Sequence, residues 1–61
     1  MRVTTYREEL CEGTQNQYTR YGYRIWQGDK CVYECDAVYW YRDQAERHGV
    51  RFRDKMLAVA Q

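Results

Sequence analysis

Proline and serine are absent from this chain of 61 residues, histidine occurs once, and neither charge sign dominates. Each absence excludes something. With no proline and 16% aromatic residues, the chain lacks the composition of a disordered linker, which is poor in aromatics and often rich in Pro and Ser. Ten basic against nine acidic residues leave a formal charge of +1, so the strongly basic balance that accompanies phosphate-backbone binding is missing. Apolar runs are short and broken by charge, far below the roughly 20 residues of a membrane helix. Three cysteines are an odd count without framework spacing, and the opening "MRVTTYREEL" has no secretion-signal apolar run. A cytoplasmic protein with reduced thiols is the expectation.

What is present is concentrated. The stretch "YGYRIWQGDKCVYECDAVYWY" (Tyr21 to Tyr41) carries five tyrosines, two tryptophans and two cysteines. From Tyr18 to Val38 the residues are mostly β-branched or aromatic and alternate with period two, interrupted once by "QGDK", which is a hairpin signature. A two-residue Gly28-Asp29 turn would set Tyr23 opposite Glu34 and put an acid on the apolar face. A three-residue loop, or a bulge near the turn, instead lets Tyr21, Tyr23 and Ile25 share a face with Tyr33, Cys35 and Ala37, with Arg24 across from Glu34 on the other side. That second register is favoured.

After Val38 the period changes. Tyr41, Ala45, His48, Gly49, Phe52, Met56 and Val59 fall on one side of a helix, with Asp43, Arg47 and Asp54 opposite, and Arg42/Glu46 and Asp43/Arg47 form opposite-charge pairs four apart. Gly49 costs a helix interior about 1 kcal/mol relative to Ala, which close approach to a sheet would explain; the competing reading ends the helix there and makes "VRFR" a short strand. The opening residues 2–10 read as a strand, although Thr5 to Glu8 also fits a capping box. The expected fold is therefore a small two-layer α+β domain spanning residues 1–61. An antiparallel hairpin or three-stranded sheet, in the order β-β-β-α, packs on one C-terminal amphipathic helix.

The chemical inventory points away from catalysis. Cys11, Cys31, Cys35 and His48 could make a zinc set by type, but Cys31 and Cys35 lie along one strand about 13 Å apart at roughly 3.3 Å per residue, too far for one ion or a disulfide. No metal or cofactor is expected. His48 reads as a core-boundary residue, Glu8 and Glu9 point to opposite faces of a strand, and no nucleophile or phosphate-loop motif occurs, so no enzyme is expected.

Binding remains. Tyr, Trp and Arg are the residue types enriched at interface hot spots. The outward sheet face, with Tyr18, Arg20, Arg24 and Trp26 and with Trp40 nearby, is the expected docking surface of a protein-binding module. Docking, inhibitory and regulatory roles all fit, in a size class common among bacterial and phage proteins. Val50 and Leu57, seven apart on a second stripe of the helix, suggest self-association as a homodimer. The alternative is a single-stranded nucleic-acid binder stacking bases on the same tyrosines and tryptophans beside arginines. Against it stand the neutral charge and the acids Glu34 and Asp36 on that face.

Overall fold

The computed structural model describes residues 1–11 and 13–59 and has the expected β-β-β-α order. Strands β1 (Arg2–Leu10), β2 (Tyr18–Gln27) and β3 (Lys30–Tyr39) form an antiparallel sheet in the order β1-β2-β3, and helix α1 (Arg42–Val59) covers one face. The opening segment is thus a strand, paired along its whole length with β2 from Arg2↔Trp26 to Leu10↔Tyr18.

The β2–β3 connection reconciles the two registers. Gln27 pairs with Lys30 across a two-residue turn, with Gly28 at a φ of 62° and Asp29 outside the left-handed region, as in a type II′ turn. Continued regularly, that turn would set Glu34 beside Tyr23. Instead Trp26 pairs with Cys31 while Ile25 pairs with Tyr33, so Val32 is an extra residue, a β-bulge. From there Arg24 faces Glu34 and Tyr23 faces Cys35, which is the register that the apolar pattern favours. A second irregularity, between the Tyr23/Cys35 and Tyr21/Tyr39 pairs, accompanies the burial of Ala37.

The helix runs through Gly49 without a break. A Cβ there would stand 2.7 Å from Val3 Cγ1 and 2.9 Å from Tyr23 Cγ, so glycine is what lets α1 settle onto the sheet. The core is small: Tyr23, Ile25, Ala37 and Ala45 are its buried apolar side chains, with Phe52 stacked on Tyr33 at 4.2 Å between ring centroids. Three residues assigned by periodicity to the buried helix face are exposed: Tyr41 at 65%, Val59 at 87%, and His48. Tyr41 and Val59 sit at the two ends, where the inner sheet face is no longer apolar, and His48 lies on the flank turned toward β3. Beyond the level of Tyr21, where α1 begins with the Arg42 guanidinium 5.5 Å from the Tyr21 ring, that face turns polar. There Thr19 Oγ1 donates to Glu9 Oε2 (2.9 Å) and Arg7 pairs with Glu9 (3.4 Å). Of the two helix pairs expected, Asp43–Arg47 forms at 3.2 Å, whereas Arg42 turns to Tyr21 and is not paired with Glu46.

The axis of helix α1 lies over β1 and β2, and the helix reaches β3 through side chains, Phe52 on Tyr33 and His48 on Tyr39. One flank therefore overlooks β3, with His48 stacked on Tyr39 at 4.7 Å. The opposite flank, carrying Val50, Arg53 and Leu57, lies on the β1 side.

Candidate functional site

Because Tyr23 and Ile25 point under the helix, the even-numbered residues of β2 point the other way, onto a face that no second layer covers among the described residues. The pairing then assembles this outer face row by row: Glu8 beside Arg20, Tyr6 beside Gly22, Thr4 beside Arg24 and Arg2 beside Trp26. The four residues expected on this side by alternation, Tyr18, Arg20, Arg24 and Trp26, are on it, and Trp40, expected nearby, joins it through Arg20; they divide into two groups.

The first group is centred on Tyr6. Its ring lies flat over Gly22, where a Cβ would stand 2.5 Å from Tyr6 Cζ, and its hydroxyl crosses β2 to donate to the Cys35 carbonyl at 2.5 Å. The Arg24 guanidinium sits 4.3 Å from the centre of the same ring and pairs with Glu34 at 2.6 Å. Trp26 Nε1 donates to Thr4 Oγ1 at 2.8 Å, with Arg2 5.6 Å from the indole. The hydrogen bond to Glu34 raises the Arg24 pKa further, so its charge is permanent. Burial, and then the charges of Glu34 and Glu8, push the Tyr6 hydroxyl up, which keeps it a hydrogen-bond donor.

The second group is more open. Arg20 is held 4.4 Å from the Tyr18 ring and 3.4 Å from the Trp40 ring, and its Nη1 donates to the Thr19 carbonyl at 2.9 Å. Trp40 is 64% exposed, Val38 60% and Tyr18 40%. An arginine against an aromatic ring is stabilising by about 0.5–1 kcal/mol when exposed. The exposed Arg24–Glu34 pair adds roughly 0–1 kcal/mol. These contacts fix side chains that would otherwise lose rotamer freedom on docking. Among the described residues, the three arginines on the face, Arg2, Arg20 and Arg24, are balanced by the three acids Glu8, Glu34 and Asp36.

Sequence alternation did not single out Tyr6 or Gly22. A glycine inside an aromatic strand marks close approach of another group, and that was the available signal. On the helix, Val50 is half-buried on the β1 flank and Leu57 is 40% exposed beyond it. On the inner face Cys35 lies between tyrosines. Burial first, then Cys35, raises the pKa of both Tyr23 and Tyr39. All three cysteines are free thiols, Cys11 and Cys31 exposed and Cys35 half-buried. Among the described residues no three His, Cys, Asp or Glu side chains converge, and no helix is long and apolar enough to cross a membrane. Comparison with protein-family models, with curated proteins and with solved structures yields no match.

Proposed function

We propose that this protein is a non-catalytic binding module that docks a protein partner on the outer sheet face, with Tyr18, Arg20 and Trp40 as the anchors and Arg24 and Trp26 beside them. One observation carries the reading: among the described residues nothing covers this sheet face, yet its aromatic and arginine side chains are already held against one another. Preorganised side chains of these types lose little entropy on docking, which is the condition for a hot spot. Three unbridged thiols support work in a reducing compartment. Self-association along the flank carrying Val50 and Leu57 belongs to the same reading.

Base stacking on this face is less well supported. The Tyr6 ring is sandwiched between Gly22 and Arg24, one face of Trp40 is occupied by Arg20, and the charges balance. The deciding experiment is affinity capture from nuclease-treated and untreated lysate. It compares the native chain with the triple variant Tyr18→Ala, Arg20→Ala, Trp40→Ala. A protein retained by the native chain after nuclease treatment and lost by the folded variant is the expected result. Nuclease-sensitive capture, or capture indifferent to the three substitutions, would refute it.

A further inference from the structure

The opposite side of the molecule has a second unfilled surface, independent of the outer face. Since α1 leans over β1 and β2, an open groove of about 280 Å³ runs between its other flank and β3, lined by Tyr23, Tyr39, His48, Arg51, Phe52 and Lys55. It adjoins an apolar recess of about 410 Å³ formed by Phe52, Met56, Val59 and the Lys55 stem. Tyr33, at 37% exposure, stands at the boundary against Phe52.

The charge on this groove is one-sided. His48, Arg51 and Lys55 follow one another at helical spacing along the flank, while the nearby acids Asp43 and Asp54 are engaged by Arg47 and Arg53 on the outer side of the helix. Among the described residues, neither Arg51 nor Lys55 takes part in an ion pair. The inward residues of β3, namely Tyr33, Cys35, Ala37 and Tyr39, contribute no carboxylate. The far side of β3 is also an open sheet edge, and Tyr33 to Cys35 is its regular stretch between the two irregularities.

From these features we propose that the groove binds an extended acidic peptide segment of a partner protein, laid along the β3 edge. Alternate residues of an extended peptide point to the same side and repeat every 6.6–6.8 Å or so. Arg51 and Lys55 are four helical residues apart, about 6 Å. Two acids spaced i and i+2 therefore meet both cations, and an apolar residue further along fills the Phe52/Met56/Val59 recess, in the manner of strand addition. A polyphosphate chain suits the site less well, because the recess offers it nothing and the whole molecule carries only +1.

The probe is the acetylated hexapeptide Thr-Glu-Thr-Glu-Thr-Leu, titrated into the ¹⁵N-labelled protein at low and moderate salt, beside its Lys-for-Glu counterpart and an oligothymidylate. Saturable amide shifts are expected at Tyr33, Cys35, His48, Arg51 and Lys55, with binding that weakens as salt rises. The exposed pair Arg51→Glu, Lys55→Glu should weaken binding by about tenfold or more, and the neutral pair Arg51→Gln, Lys55→Gln should weaken it less. Trp40→Ala should leave it unchanged, which separates this groove from the outer face. Any of four results would overturn the proposal: no shifts at millimolar peptide, equal binding of the lysine peptide, shifts centred on Arg20 and Trp40, or tighter occupation of the groove by the oligothymidylate.

Discussion

At the scale of single residues, two glycines decide how closely the parts approach. Gly49 admits Val3 and Tyr23 to the helix surface, and Gly22 admits the Tyr6 ring to the back of β2. The first was legible, because a glycine on the apolar side of a helix conflicts with propensity and demands a reason. The second was not, because the reach of Tyr6 across β2 to the Cys35 carbonyl depends on the three-strand register. For Gly49→Ala, helix propensity alone gives a gain of about 1 kcal/mol. Overpacking against the Val3 and Tyr23 carbons should outweigh it, for a net loss of roughly 1–3 kcal/mol in urea denaturation. Unchanged or greater stability would mean that α1 does not seat this closely.

At the scale of elements, the bulge at Val32 lets a type II′ turn coexist with an apolar inner face. Sequence alternation favoured the final register and allowed for a bulge. The second irregularity, which accompanies the inward turn of Ala37, carries no comparable signal, since "CDAVYWY" alternates with no glycine to mark it. Deleting Val32 should leave every other β2–β3 partner in place and hold stability within about 1 kcal/mol of the parent. Deleting Glu34, inside the regular stretch, should turn Tyr33 outward and abolish cooperative unfolding. Equal effects of the two deletions in circular dichroism melts would contradict the register.

The same layers set a pH limit. Tyr6, Tyr23 and Tyr39 all hold their protons above the ordinary value of 10.0, burial being the first cause in each. Above about pH 10 the unfolded chain gives up these protons while the folded chain keeps them, so stability is level below that pH and declines above it. Tyr23, the most deeply buried of the three, accounts for about 1.4 kcal/mol per pH unit in that range. Urea midpoints that stay constant from neutral pH to well above the tyrosine range would contradict this burial.

At the scale of the whole molecule, the chain is thin and long, with extents of 48 × 21 × 14 Å and a radius of gyration of 13.2 Å. A compact domain of this length has a radius of about 10.5 Å. Its accessible surface is 4796 Å², against about 4,200 Å² for a compact monomer of this mass. Surface in that excess, with four apolar side chains buried among the described residues, is the physical argument behind the proposed partner. Along the β1 flank this includes a second copy: sedimentation at micromolar concentration should give a dimer that Leu57→Glu converts to monomer. A native chain that sediments as a monomer would remove self-association from the proposal. Element order, helix face and outer-face membership were legible because they follow from alternation and helical period. The lean of α1 toward β1, which opens the basic groove beside β3, was not, because it depends on how side chains pack between the two layers.

The central claim is that the outer sheet face is where the protein partner docks, and titration calorimetry with the captured partner tests it most directly. The Arg20→Ala, Trp40→Ala chain should bind about 30-fold or more weakly than the native chain, while Arg51→Gln, Lys55→Gln binds on that face as the native chain does. Equal affinities for the native chain and the Arg20→Ala, Trp40→Ala variant, with both folded, would contradict docking on this face.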